Sequence, residues 1–429
     1  MNVSELVRKI YSRAFASKSK LLRESDVFCM APWIQLHAQT NGKAAPCCMS
    51  AVHNGNEISD LRENPDLADA WNSKNMKQLR LNMLKGKKST ICKHCYDYEK
   101  LEKFSERKQY NKDYKSYYSR VMHTNEDGSV DDKTVPLIDI RFSNKCNYKC
   151  RICDSAYSNL WYEEEKKIGK PTAIPTAKEM KVAFDEETFW KSYQKLLPGV
   201  KRLHFAGGEP LIMEEHYKAL DYLISIDKTD VTLSYNTNFS TLKYKQYDVV
   251  EMWNAFDKVD VWASLDDMGT KGDYQRKGQR WKKIEDNIRT IQEKCPNVLF
   301  GVNVTVSMLN VLSVPDFYKY MVENNFVAPE RMNLYLLFDP DYYNITNLTP
   351  ALKDKVRTKY KAFDEEYLST IENNANIRNH MNAILNFMDS GEGEKQEEFR
   401  HWIIEVDKLR NENFEEVFPE LNEMLTYSK

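Results

Sequence analysis

Apolar and polar positions alternate with a period of two in six stretches of the chain, at residues 135–142, 202–206, 231–235, 258–265, 299–306 and 332–338. That period places every second side chain on the same face of an extended segment, so each stretch is predicted to be a strand. In the intervals the apolar positions recur every three or four residues, which predicts helices over 216–226, 281–294 and 314–324. Strands that alternate with helices imply a parallel sheet. Upstream, the pattern predicts a helix over 66–85 ending at Gly86, and Asn41-Gly42 between apolar stretches predicts a hairpin turn.

Polar and glycine residues collect at the carboxyl ends of these strands. Gly207-Gly208-Glu209-Pro210 follows the second strand, Asn236-Thr237-Asn238 the third, Asp266-Asp267 the fourth, Ser307 the fifth and Asp339-Pro340 the sixth. That is the end at which a (β/α) barrel builds its active site. After the first strand comes Asn144-Lys-Cys-Asn-Tyr-Lys-Cys-Arg-Ile-Cys153, a C-x3-C-x2-C spacing. A [4Fe–4S] cluster takes four thiolates, and a compact loop that supplies three leaves one iron open to a substrate or cofactor. A structural zinc loop is the plainer alternative, although zinc sites are usually built from paired C-x2-C knuckles with four ligands.

This loop closely resembles that of the radical S-adenosylmethionine (SAM) enzymes. The resemblance implies a [4Fe–4S] cluster on Cys146, Cys150 and Cys153, with exchangeable SAM at the open iron and Ile152 against its adenine. It assigns Gly207, Gly208 and Glu209 to the SAM amino group, and the chemistry agrees: glycines admit close backbone approach and a carboxylate accepts from an ammonium. Ser264 and Asp266 stand where related enzymes hold the ribose or methionine portion, with Asn236 a second ribose candidate. Arg276, in Gly272-Asp-Tyr-Gln-Arg-Lys-Gly278, matches an arginine that pairs with the SAM carboxylate, a role that suits a guanidinium fork. Arg280 is the alternative partner.

A second cysteine group precedes the barrel pattern. Cys29 is followed by Gly42 and Cys47-Cys48 in a C-x12-G-x4-C spacing, and then by Cys92-Lys-His-Cys95. This group resembles the auxiliary-cluster module of SPASM/twitch radical SAM proteins, placed ahead of the barrel. The resemblance implies an auxiliary [4Fe–4S] cluster on Cys29, Cys47, Cys92 and Cys95. Cys47 is chosen over its neighbour Cys48 on the spacing from Gly42, which leaves Cys48 as a small buried thiol. A four-cysteine zinc ribbon is the competing reading. His94 is expected to be exposed, and Cys295 to be inert.

Composition narrows the rest. The chain has 429 residues, enough for a barrel of roughly 200 residues and smaller units. Eight of its nine cysteines lie in the two groups, which argues against a disulfide framework and for a reducing, cytoplasmic compartment. No apolar run reaches the roughly 20 residues that span a membrane. A net charge of −2 gives no global basic field for nucleic acid. Residues 100–120 interleave Lys and Arg with Tyr110, Tyr114, Tyr117 and Tyr118, compatible with nucleic-acid contact, although a helical bridge between the cysteine groups is the expected role. The basic stretch 6–23 is expected to be a helical arm, an organelle-targeting segment being the alternative.

The expected architecture is α/β: a partial (β/α)6 TIM-like radical SAM barrel with an N-terminal twitch-like cysteine module and a helical C-terminal tail. The boundaries are a basic arm over 1–28, the auxiliary module over 29–121, a polar linker over 122–133, the radical SAM core over 134–345 and the helical region over 346–429. In the last of these, Phe399, Trp402, Ile403, Val406 and Leu409 share a helix face. The resemblance implies an enzyme that reductively cleaves SAM, supplied with electrons by a flavodoxin or ferredoxin, and acts on a peptide or protein. The alternatives are the same chemistry on a nucleotide or sugar, and a non-catalytic, metal-stabilised RNA-binding protein.

Overall fold

The computed structural model describes residues 20–426 except 51, 53, 54, 101–104 and 171–178. Residues 1–19 of the expected arm over 1–28 lie outside the described residues; the remainder, 20–28, includes a single helical turn at Lys20–Glu24. The chain divides into two compact units, the first made of Met1–Ser143, Lys181–Gly207 and Lys218–Val231, the second of Asn144–Met180, Gly208–Tyr217 and Thr232–Lys429.

In the first unit the strands are β1 (Gln35–Ala38), β2 (Lys43–Ala45), β3 (Ser59–Asp60), β4 (Leu137–Ile140) and β5 (Arg202–Phe205). β4 and β5 are parallel, as the barrel pattern predicts. The hairpin at Asn41-Gly42 forms between β1 and β2, and β1 also pairs in parallel with β4, so the cysteine module continues the sheet. Along β4 and β5, Ile138, Ile140, Leu203 and Phe205 are buried on one face. Phe142, just beyond β4, meets Phe189 and Tyr193 of the helix Glu186–Leu196 at ring distances of 6.5 and 5.9 Å.

The helix expected over 66–85 is two helices, Leu67–Trp71 and Lys74–Leu84. The break falls at Asn72-Ser73, because Ser73 caps the second helix by accepting from the Met76 N–H. The polar stretch 122–133 is tied down within this unit: buried Arg80 donates to the carbonyls of Gly128, Pro32 and Trp71, and Asn72 donates to the Val130 carbonyl. Gly128 has φ +85°, and a Cβ there would stand 2.3 Å from the Lys77 carbonyl oxygen, so the turn admits no side chain.

In the second unit β6 (Thr232–Thr237), β7 (Lys258–Ser264), β8 (Val298–Val306) and β9 (Met332–Leu336) pair in parallel and in chain order. Helices Trp281–Lys294 and Val314–Glu323 return the chain between the last three. Two of the six expected barrel strands therefore belong to the first unit and four to the second. The tail is helical, with Pro350–Glu366, Ala375–Met388 and Gln396–Arg410; on the last of these Phe399, Ile403 and Val406 are buried while Trp402 and Leu409 are half-buried.

Candidate cluster and SAM site

In the second unit the cysteine loop starts at Asn144, which is buried and donates to the Ser155 carbonyl while accepting from the Met180 N–H. This closes the loop on itself. Cys146 Sγ accepts from the Tyr148 N–H at 3.4 Å, and Cys150 lies in a short antiparallel pairing of Lys149–Cys150 with Arg276–Lys277, in which Arg276 is opposite Cys150. Burial pushes the Cys146 thiol up to about 12, whereas a hydrogen bond with Cys153, and then Arg276, draw Cys150 below the ordinary thiol range. A thiol must lose its proton to ligate iron, so metal binding here releases protons.

Arg276 is buried, with Nε 2.8 Å from Oδ2 of Asp266, Nη2 3.0 Å from Oδ1 and Nη1 3.7 Å from Cys150 Sγ. Asp266 also accepts from the Thr305 N–H at 2.9 Å. Asp266 and Arg276, expected separately as SAM contacts, are thus brought together beside Cys150. Arg280 instead is exposed at the start of Trp281–Lys294.

The Gly-Gly-Glu-Pro turn fits against the loop because it lacks side chains at its closest point. A Cβ at Gly208 would stand 2.1 Å from the Lys145 carbonyl oxygen, and the Glu209 N–H donates to that same oxygen at 2.8 Å. Gly207, the last residue of its segment of the first unit, has φ +123°. The Glu209 side chain is fully buried and accepts from Thr237 Oγ1, the Asn238 N–H and the Leu211 N–H at 2.6, 2.6 and 3.0 Å. Burial raises its carboxyl to about 7. Both oxygens are engaged by the protein, so Glu209 braces the turn to the end of β6, and a SAM ammonium would share an acceptor already in use. Ser264 is half-buried at the end of β7, Ile152 is half-buried in the loop, and Asn236 is exposed and accepts from Asn303 Nδ2 at 3.2 Å.

Sequence reasoning missed Arg151, inside the cysteine loop. Its guanidinium is fully buried, lies 3.7 Å from the centre of the Tyr274 ring, and pairs with Asp407 and Glu412 of the tail, the latter at 2.6 Å. Arg410 pairs with Glu164 at 2.8 Å beside Trp161, and Glu164 also pairs with Lys149. A charged residue between two of the expected ligand cysteines is the signal that was available.

In the first unit Cys29, Cys47, Cys92 and Cys95 line one small cavity, walled by Ala31, Met83, Ile91, Glu106 and Arg107 among others. Cys48 does not line it and is exposed, not the buried thiol expected, because adjacent residues direct their side chains differently. Burial raises all four thiols, Cys92 to about 12. Cys29 is held by the helix Glu106–Asp113: Arg107 donates to the Ser25 and Phe28 carbonyls, and Asn111 donates to Phe28 and accepts from the Met30 N–H. This gives residues 106–113 a bracing role in the module. Four thiols lining one space are the donor set that an iron–sulfur cluster takes, and Arg107 on its wall would offset thiolate charge. Among the described residues no three His, Cys, Asp or Glu side chains are drawn together as for a single metal ion. His94 is exposed against Tyr98, and Cys295 is buried with Sγ 3.8 Å from the Val250 carbonyl oxygen.

Residues 29–96 match the SPASM family, an iron–sulfur cluster-binding domain. A GTP 3′,8-cyclase of Campylobacter lari is 29% identical over 117 residues, which cover 27% of this chain and 31% of that protein. The chain thus spans under a third of the curated relative it matches. Similar solved structures include native anSMEcpe with bound AdoMet, at TM-score 0.38 and 18% identity over 54% of this chain and 61% of that one. Streptococcus suis SuiB bound to S-adenosylmethionine is similar at TM-score 0.37 and 13% identity, over 72% of this chain and 64% of that one. Cys29, Cys47, Cys92 and Cys95 all lie inside the segment that matches the iron–sulfur cluster-binding domain.

Proposed function

We propose that the chain is a radical SAM enzyme that modifies a peptide or protein. The observation that carries the reading is the C-x3-C-x2-C loop, with Cys150 against the buried Arg276–Asp266 pair and the Gly208-Glu209 backbone packed on the Lys145 carbonyl. Cys146, Cys150 and Cys153 would hold one cluster and Cys29, Cys47, Cys92 and Cys95 the other. When bound, the cluster and SAM supply reductive cleavage of SAM to a hydrogen-abstracting 5′-deoxyadenosyl radical.

The residues around them orient and exclude. Arg276 puts a permanent positive charge against Cys150 and keeps donors beyond the two that Asp266 engages, which suits it to the SAM carboxylate as well. Gly208 lets backbone amides lie against the loop, while Ile152, Asn236 and Ser264 remain candidates for the adenosyl portion. The SPASM module supports a peptide or protein substrate through the family resemblance. A small-molecule substrate is the second reading, favoured by the partial likeness to a GTP 3′,8-cyclase. The nine free cysteines support a reducing, cytoplasmic setting in which a flavodoxin or ferredoxin supplies electrons. Among the described residues no helix is long and apolar enough to cross a membrane.

The test is an anaerobic reaction of the reconstituted protein with dithionite, SAM and deuterium-labelled candidates, a peptide pool in one arm and GTP in another, followed by mass spectrometry. Deuterium in 5′-deoxyadenosine from the peptide arm supports the first reading, and from the GTP arm the second. A protein that holds zinc, lacks iron–sulfur absorbance and leaves SAM intact is the non-catalytic binding protein.

A further inference from the structure

A second space adjoins the cysteine cavity of the first unit, and Ile91 lines both. It is a cleft of about 180 Å³ between the helix Lys74–Leu84 and the turn that leads into Ile58. A single water takes roughly 10–15 Å³ of such space, so the cleft has room for a larger group. The helix presents Asn75, Gln78, Leu79 and Asn82 to it, a spacing of i, i+3, i+4 and i+7 that defines one face. Ile58, Leu79 and Ile91 are buried and make an apolar floor, with the carboxamides of Asn75 and Gln78 exposed above it and Asn82 half-buried. Asn competes with a helix for its own backbone, so helix stability does not account for this face.

Asn75 Nδ2 donates to the Glu57 carbonyl at 2.6 Å, which fixes the turn, and Gln78 Nε2 donates to Asn82 Oδ1 at 2.9 Å. These bonds leave two acceptors, Asn75 Oδ1 and Gln78 Oε1, and one donor, Asn82 Nδ2, without a partner among the described residues. None of the described residues that line the cleft is charged or aromatic. The charged neighbours are turned to partners of their own: Glu57 to the Gly55 N–H and Lys43, Lys77 to Asp127, and Lys88 to Asp26. A nucleotide calls for cationic donors at its phosphates and an aromatic face at its base, and the cleft offers neither. A polypeptide main chain carries one N–H and one C=O per residue and no charge, the complement of a row of carboxamides. Asn75 and Asn82 are about 10.5 Å apart along the helix axis, which is the length of about three residues of extended chain.

We propose that this cleft docks an extended, uncharged stretch of the peptide substrate, with main-chain N–H and C=O groups on Asn75, Gln78 and Asn82 and one apolar side chain on Ile58, Leu79 and Ile91. This deepens the peptide reading above and rests on it. The cleft belongs wholly to the first unit. Selection here is by the size and apolarity of one side chain, and a charged residue at that point of the peptide is disfavoured because no counter-charge lines the cleft.

The experiment titrates the full chain with the capped tripeptide acetyl-Ala-Leu-Ala-methylamide, its N-methylated counterpart, GTP and maltose, with binding read by saturation-transfer NMR. The variant Gln78→Leu with Asn82→Leu removes two carboxamides from the face and leaves the Asn75 tie in place. Loss of two hydrogen bonds predicts an affinity for the capped tripeptide lower by roughly tenfold or more, at an unchanged urea midpoint. N-methylation of the peptide is expected to weaken binding to wild type similarly, and this arm decides alone if the double variant is less stable. No binding of the tripeptide to wild type, equal binding to the double variant, or indifference to N-methylation overturns the assignment. Binding of GTP or maltose that the double variant abolishes, in place of the tripeptide, also overturns it. Deuterium transfer in the peptide arm of the labelled reaction without variant-sensitive binding sinks the cleft and leaves the peptide reading. Variant-sensitive binding without any such transfer sinks the peptide reading and leaves a peptide-binding cleft.

Discussion

Arg276 and Asp266 form a buried, two-pronged ion pair whose guanidinium also reaches Cys150 Sγ at 3.7 Å. The pair links the end of β7 to the cysteine loop, so a single side chain answers to the sheet and to the cluster. Removing one partner leaves the other charge buried and uncompensated, which typically costs about 3–5 kcal/mol. Arg276→Ala should therefore lower the urea midpoint sharply, and adding Asp266→Asn should recover part of the loss. Arg280→Ala, at an exposed position, should change stability by no more than about 0.5 kcal/mol. Additive losses in the double variant would show that the two residues are not coupled.

Arg151 extends the same logic to the tail. Its buried guanidinium is neutralised by Asp407 and Glu412, so residues more than 250 positions away hold the loop that carries Cys150 and Cys153. Asp407→Asn combined with Glu412→Gln leaves Arg151 without counter-charges and should loosen that loop while sparing the cavity of the first unit. Iron in the purified protein is then expected to fall from about eight toward about four per chain. Iron that stays at the wild-type level would mean the clasp is dispensable for cluster retention.

Much of this was legible along the chain because strands and the polar residues at their carboxyl ends leave a local trace. The six alternating stretches correspond to β4 through β9, and the helix over 281–294 has the predicted bounds. A row of His37, Asp139 and His204 across β1, β4 and β5 is half legible: each strand shows a polar residue inside an apolar run, but only the register reveals that the three are neighbours. The parallel pairing of β1 with β4 left no trace, since about a hundred residues separate them and pairing is a tertiary choice. The Gly-Gly-Glu-Pro turn is recognisable in the sequence and marks Glu209 as a ligand contact. That Thr237, Asn238 and Leu211 occupy its oxygens is a matter of packing across β6.

Cys47 and Cys48 differ only in where they point. Cys47 lines the cavity with Cys29, Cys92 and Cys95, whereas Cys48 is exposed. Cys47→Ala should lose about half of the iron, and Cys48→Ala should keep it. Iron analysis with parallel zinc determination checks this, and the reverse pattern would exchange the roles of the two cysteines. One tightly held zinc with about four irons would make the module structural.

The last expectation concerns pH. Burial raises the Glu209 carboxyl from 4.5 to about 7, so between these values the folded protein keeps a proton that the unfolded chain has released. The stability associated with this group is then fully present below about pH 4.5 and is lost as the pH rises through about 7, a total on the order of 3 kcal/mol. Glu209→Gln keeps a neutral side chain at every pH and should remove this slope, although its amide satisfies the Asn238 N–H less well and lowers the starting stability. Urea midpoints of wild type and Glu209→Gln at pH 5 and pH 7.5 make the comparison. The wild type is expected to lose more on going to the higher pH. If both proteins change in parallel, the Glu209 carboxylate is ionised in the folded state, stabilised by its three donors, and is free to meet a cationic ligand.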